Sequence, residues 1–479
     1  MLGTLRQDVI LEYTKSKINL NLHPLARERN SLKENYVFLA INYLNKYKTA
    51  EELRDITDLY VHTFLLEEKS VFNNKDLELA IETVSKTYTR VRKKVRLKKN
   101  YKHLFLAELM FLTNPTRWTL EDDFLQRFIK KSKISTRTVT LLTQLFNCFY
   151  CNDFLQAAEI IANNRKLKYC QYFLDFFQDQ YRFEQQDAQS VAVIATMSAG
   201  KSTFLNAIIG QKIFPSENKA CTAKILEFTS NKDLHRFTGL IEGNQTVVKW
   251  NVTPDCMKEW NKDSSITFIR SEGRLADYSM INDKITFLDT PGPNNSRNEE
   301  HHHTTTSFLK SGKYTKVAYI LNATNLAIDD DEELLKTVLR HVPAEKIVFY
   351  LNKIDALDIE GGEGITETMN EARSYLQDHH IKNPVIIPIS SYAANLFKTV
   401  LLGSSDTLTR KQVNDFHRLY ELFQDSRYDI HQYVKLPRKL PASPRESRIQ
   451  VGGVVYQRKE IYECLVKTGI YHAEKTLTQ

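Results

Sequence analysis

The sequence predicts an all-α helical bundle followed by an α/β domain with a mostly parallel sheet, on three observations. Of 479 residues only 15 are glycine, and all but Gly3 fall at Gly200 or later; of the 12 prolines only Pro24 and Pro115 precede that point. The first two fifths of the chain therefore almost lack the residues that supply tight turns and helix stops. Apolar residues recur there at helical spacing, from about Leu5 to Glu184. Past Ser190 the texture changes to short β-branched runs alternating with helical segments, the pattern of strands buried on both faces. These shifts place an expected boundary between an all-α domain, 1–187, and an α/β domain, 188–479.

Taken in order, "SLKENYVFLAINYLNKY", "DLELAIETVSKTYTRVRKKV", "NYKHLFLAELMFL" and "TLLTQLFNCFYCNDFLQAAEIIANN" each carry an apolar stripe with polar residues between, and predict a bundle of six to nine helices. Ser31 and Asn74 are candidate helix caps. "NPTRWTLEDDF" at 114–124 predicts a break and a new helix, with Thr119 as cap and Glu121, Asp122 and Asp123 at its positive end. No repeat of fixed period supports a solenoid. Expected strands are "VAVIA" at 191–195, "ITFLD" at 285–289, "KVAYIL" at 316–321, "KIVFYLN" at 346–352 and "PVIIPIS" at 384–390. The proline- and cation-bearing stretch 434–448 reads as an exposed loop, and a final helix is expected from about Lys459 to Thr476.

Composition narrows the class. With 42% hydrophobic and 26% charged residues the chain is a globular protein, not a disordered or collagen-like one. The 66 basic against 58 acidic residues leave +8, which suits anionic partners such as acidic lipid or nucleic acid. No stretch approaches the roughly 20 apolar residues of a membrane span, and the start has no signal pattern. Six cysteines in such a length read as reduced intracellular thiols, so the expected location is the cytoplasm. Cys148 and Cys151 form a lone CxxC with no second pair and no nearby His, better suited to two core thiols than to zinc. Eight cations crowd Arg90–Lys102, "RVRKKVRLKKNYK", which reads either as a lipid or nucleic-acid contact or as a solvated helix face.

Four motifs in order carry the chemistry. "VAVIATMSAGKSTFLNAIIG" sets a strand, a small-residue turn and a helix in sequence, the context in which Met197, Ser198, Ala199, Gly200, Lys201, Ser202 and Thr203 form a phosphate-binding loop. Backbone N–H groups of the turn surround phosphates, Lys201 reaches the β- and γ-phosphates, and the Ser202 hydroxyl binds Mg²⁺. Ala195 stands where the consensus has its first glycine. Asp289, at the end of an apolar strand and before Thr290-Pro291-Gly292, is placed for the second Mg²⁺ contact, and the Gly292 N–H for the γ-phosphate. Asn352, Lys353 and Asp355 follow another strand; a carboxylate at Asp355 accepts the N1–H and 2-amino group of guanine, which adenine does not offer. Ser390 and Ser391 end the next strand, where they would support the base.

Together these residues resemble the GTPases of the dynamin superfamily, especially bacterial dynamin-like proteins, over roughly 188–479. The tokens are "SAGKST" with Ser198, the long gap before "DTPG", and "KACTAKILEF" at 219–228 in the switch I position. The resemblance implies a P-loop GTPase fold with a Mg²⁺ cofactor, GTP and GDP as ligands, and homodimer or higher assembly through the GTPase domains. It makes Thr222 the switch threonine on Mg²⁺ and the γ-phosphate, with an ordinary loop threonine as the alternative. Pro293 occupies the position at which small GTPases keep a water-orienting Gln. The resemblance implies instead that Ser198 helps to hold a K⁺ or Na⁺ ion that offsets transition-state charge; where dynamins usually carry Gln before this serine, this chain has Met197.

Catalytic candidates are thus Ser198, Lys201 and Thr222, and metal-ligand candidates Ser202, Thr222 and Asp289. The implied activity is hydrolysis of GTP coupled to a helical arm that remodels membranes or assembles, which adds acidic lipid as a partner and the inner face of a membrane as a peripheral location. A regulatory GTPase switch that recruits a protein or DNA is the other reading. His301, His302 and His303 are consecutive, point around a helix, and read as a solvated switch II segment rather than a metal site.

Overall fold

A computed structural model describes residues 6–45, 47–64, 101–113, 123–215, 224–234, 236–290, 299–359, 361–362, 364–435 and 437–479. The candidate caps Asn74 and Thr119 and all of the 90–102 run except Tyr101 and Lys102 lie outside these residues. Contacts divide the chain into two compact units, Met1–Gln186 with Val248–Asn251, and Asp187–Val247 with Val252–Gln479.

In the first unit the described residues of Met1–Gln186 form helices joined by turns, with no strand among them. Helices run Gln7–Ser16, Asn30–Leu44, Ala50–Phe64, Lys102–Leu112, Asp123–Ser132, Thr136–Tyr150, Phe154–Ala162 and Gln171–Gln185. Local signals fix several ends: the Ser135 hydroxyl accepts from the Thr138 N–H, and the Asp153 carboxylate from the Gln156 N–H. Ser31 is not a cap; Asn30 already belongs to the helix, whose N-cap position is Arg29 with no side-chain bond. Helix Lys102–Leu112 departs from the striped pattern, because every residue from His103 to Leu112 is buried, as in a central helix enclosed by the others. Its one carboxylate, Glu108, is held by the Tyr36 hydroxyl and by His23 Nε2 at 3.2 Å. The Leu25 N–H donates to His23 Nδ1 at 3.1 Å, which leaves Nε2 to face Glu108. Burial alone would raise the Glu108 carboxyl; the His23, Tyr36 and Tyr60 contacts outweigh it and hold the group below its ordinary value. Trp250, from the short 248–251 piece, is buried in this unit, with its indole N–H 3.1 Å from Glu12 Oε1.

The second unit is built on a nine-stranded sheet: β1 Gln189–Ala195, β2 Ile225–Ser230, β3 Thr238–Gly243, β4 Val247–Lys249, β5 Ile266–Gly273, β6 Ile285–Asp289, β7 Lys316–Asn322, β8 Ile347–Asn352 and β9 Ile386–Ile389, in the order β4-β3-β5-β2-β6-β1-β7-β8-β9. β1, β7, β8, β9 and β6 pair in parallel, as their continuous apolar runs require. β2 pairs antiparallel with β6 and β3 antiparallel with β5, while β2 and β5 run parallel. The five expected strands are present, and β2 to β5 add the half that the apolar runs do not announce. The expected final helix is two, Arg458–Lys467 and Ile470–Thr478. They part at Gly469, whose φ of 90° and whose approach to the Pro388 carbonyl exclude any side chain.

One buried ion pair joins three elements of this unit. Lys398, on helix Ser391–Leu401, donates to Glu474 Oε1 at 2.7 Å and to the Ala207 carbonyl at 2.8 Å, near the end of the phosphate-loop helix Lys201–Ile209. Glu474 Oε2 accepts the Met280 N–H at 2.6 Å. Glu474→Ala leaves the ammonium buried without a counter-charge, at an expected cost of about 3–5 kcal/mol in urea unfolding. Combining Lys398→Met with Glu474→Leu should recover most of that loss; a single variant as stable as the native chain would contradict this account.

Candidate functional site

Strand ends and helix starts gather the site. β1 ends at Ala195, 1% exposed, where the chain turns through Thr196, Met197, Ser198 and Ala199. Ser198 adopts φ 64° and Gly200 φ 94°. A Cβ at Gly200 would collide with the Asn352 amide nitrogen, so only glycine lets the turn close onto that residue. Ser198 and Met197 are exposed and Ala199 is buried. Lys201, Ser202 and Thr203 open the following helix and are half-buried; the first N–H groups of a helix have no intrahelical acceptor, an arrangement that accepts an anion.

Two neighbouring strands bring the remaining chemistry to this turn. β6 pairs with β1 and ends on Asp289, whose carboxylate is ion-paired with the Lys201 ammonium. Burial pushes the Asp289 carboxyl above its ordinary value, against the pull of Lys201. Thr290 secures the strand end by donating to the Val193 carbonyl at 3.0 Å. β8 delivers Asn352, which is 2% exposed; its Nδ2 donates to the Ala199 carbonyl at 2.8 Å and its Oδ1 accepts the Ser391 N–H at 3.1 Å. One amide therefore ties the phosphate turn to the end of β9.

Lys353 follows with φ 70°, and the left-handed turn sends Asp355 inward, 8% exposed. The Ser390 hydroxyl donates to Asp355 Oδ1 and accepts the Ala393 N–H at 3.2 Å, capping helix Ser391–Leu401. Burial raises the Asp355 carboxyl, and the Ser390 hydroxyl, a backbone N–H, Arg418 and Lys353 only partly offset it. Burial also lowers the Lys353 ammonium, with Asp355 opposing.

The structure thus draws Ser198, Gly200, Lys201, Ser202, Asp289, Asn352, Lys353, Asp355, Ser390 and Ser391 to one end of the sheet. Thr222 and Gly292, with Pro293, lie outside the described residues. His301 to His303 lie on helix Glu299–Ser311, where His303 is exposed, and among the described residues no His, Cys, Asp and Glu cluster could hold a metal. Cys148 is buried against Gln156 and Cys151 is exposed at the end of its helix. Arg418, 63 residues beyond Asp355, was marked by no motif, because it sits in an ordinary amphipathic helix.

Residues 191–354 match the family model described as the dynamin family. Over those residues the chain resembles the dynamin family. A bacterial dynamin-like protein of Nostoc punctiforme is 28% identical over 127 residues, which cover 24% of this chain and 18% of that protein; the matched part is thus under a fifth of the relative's length. Among solved structures, a chain of an oligomerised bacterial dynamin pair aligns with 17% identity over 64% of this chain and 47% of its own, with a TM-score of 0.34. Aquifex aeolicus Era bound to GDP and aluminium fluoride aligns with 19% identity over 46% of this chain and 57% of its own, with a TM-score of 0.26. In the dynamin-like domain no described helix is long and apolar enough to cross a membrane, and the same holds for the other described residues.

Proposed function

We propose that the chain is a dynamin-like GTPase that hydrolyses GTP to GDP and phosphate, with nucleotide-dependent dimerisation of the dynamin-like domain, residues 188–479, coupled to the helical part, residues 1–187, for membrane remodelling or assembly. The observation that carries the guanine reading is the Asn352 amide: it fixes the phosphate turn at Ala199 and the base-reading corner at Ser391 to each other. Phosphate and base groups of one nucleotide thereby meet a single rigid frame. Asp355, held through one oxygen by Ser390, keeps acceptor capacity for two guanine donors.

Lys201 and the helix start stabilise the charge that develops on the transferred phosphoryl group. The Ser202 hydroxyl and Asp289 carboxylate are hard oxygen donors that fit Mg²⁺, with Thr222 as their expected third companion. When bound, that ion neutralises phosphate charge. Ser198 is exposed in its left-handed turn, and its side chain would help to hold a monovalent cation beside the same phosphates.

Turnover of GTP and ATP, measured over a range of protein concentrations in potassium and in choline buffers, tests this reading. We expect GTP to be preferred, specific activity to rise with protein concentration, and potassium to accelerate turnover. Equal use of ATP would refute the guanine assignment, and equal rates in choline would remove the role of Ser198. Sedimentation with acidic vesicles at low salt separates remodelling from a non-membrane switch, since only the former binds.

A further inference from the structure

The base-reading corner has a back wall outside the motifs. Helix Arg410–Leu422 passes behind it, with Arg418 Nη1 3.5 Å from the Asp355 carbonyl oxygen. On the same helix Asp415 Oδ2 accepts the Tyr392 hydroxyl at 2.6 Å. Positions three apart share one face of a helix. Tyr392 directly follows Ser390 and Ser391, so that face touches both segments that carry the groups holding the base. The helix itself is fixed by a Thr409 and Gln412 capping box and by the buried Phe416 and Leu419, with the Phe416 ring 5.7 Å from Phe397.

Asp355 must be ionised to accept two donors from guanine, and it is buried. The charged and titratable groups around it are Lys353 on its own turn, Asp358 just beyond, Tyr392 on helix Ser391–Leu401, Asp415 and Arg418 on helix Arg410–Leu422, and Tyr428 on the following turn. Only Lys353 and Arg418 among these carry positive charge. Asp415 is engaged by the Tyr392 hydroxyl, and Arg418 by the Asp355 carbonyl.

We propose that Arg418 is a positioning residue for base selection. From helix Arg410–Leu422 its guanidinium holds the Asp355 turn against the Ser390 to Tyr392 segment and keeps a cation beside a buried carboxylate, which sets the discrimination for guanine over related bases. The role rests on the GTPase reading above. Arg418 is largely exposed, so the effect is modest.

Equilibrium binding of GDP, IDP and ADP to the full chain, followed by calorimetry between about pH 5.5 and about pH 8, tests it. IDP lacks the 2-amino group, so it reports one of the two contacts to Asp355. Arg418→Met should weaken GDP by about two- to fivefold near neutrality and by more at the acidic end, because Asp355 then takes up its proton at higher pH. IDP should weaken less, narrowing the ratio of GDP to IDP affinity, and Arg418→Lys should restore the native pH profile. Unchanged GDP affinity and ratio across the range would overturn the proposal, and so would equal, pH-independent weakening of GDP and IDP, the signature of a merely structural role. A native chain that binds ADP as tightly as GDP would sink the guanine reading itself, a result independent of Arg418.

Discussion

A Lys201→Ala chain should lose about 10²- to 10³-fold in GTP turnover, the scale on which removing one preorganised charge from a transition-state site is felt. Lys201 opens its helix directly after Gly200, and its ammonium is already ion-paired with the buried Asp289. Removing it deletes the cation for the phosphates and also strands a buried carboxylate, so a fall in activity could be confounded with a fall in stability. The pair resolves this. Lys201→Met together with Asp289→Asn removes both charges and should unfold in urea close to the native midpoint, because neither partner is left unpaired. Its single-turnover phosphate release should stay as low as that of Lys201→Ala. A lysine-free chain that releases phosphate within tenfold of the native rate would remove Lys201 from the proposed chemistry.

The strand ends that form this site were legible because each needs a residue type that chance rarely puts there: Gly200 at a left-handed turn against Asn352, Asp289 after an apolar run, Asn352 and Asp355 after another. The stretch between them was not. β5 reads "ITFIRSEG", and Arg270, Ser271 and Glu272 are all buried, which no hydropathy pattern announces. They are tolerated because partners lie across strands: Arg270 Nε reaches Glu227 Oε1 of β2 at 2.6 Å, and Glu272 Oε1 accepts from Asn231 at 2.6 Å. Those contacts join residues some 40 positions apart, and a linear reading sees only the polar side chains. Helix Lys102–Leu112 shows the opposite failure, since apolar spacing marks a helix but does not tell a face from full enclosure when the sole polar interior groups, His103 and Glu108, are themselves buried. Arg418 carried no signal, because its meaning lies in a carbonyl brought near by the fold.

Asp355→Asn should move base preference from guanine to xanthine, and the geometry says why the exchange works in place. Ser390 donates to Asp355 Oδ1, and it can donate equally to an amide oxygen at that position, which leaves the new NH₂ directed where Oδ2 met the base. Guanine then faces a donor opposite its own 2-amino donor, while xanthine, with an oxo group at that carbon, accepts from it. Discrimination built on unpaired buried groups reaches about 10⁴-fold, so GDP should weaken by about 10²-fold or more while XDP gains. Stability should move the other way. Burial raises the Asp355 carboxyl, so its folded form binds a proton more readily than its unfolded form, and the stability this contributes is lost as pH rises through the folded value. At neutral pH the native chain therefore bears the cost of a buried anion that the neutral amide relieves. The variant should melt at the native temperature or above while its GDP affinity collapses, and calorimetry beside a thermal melt reads both. A variant that keeps GDP within a fewfold of native would show that Asp355 does not read the base.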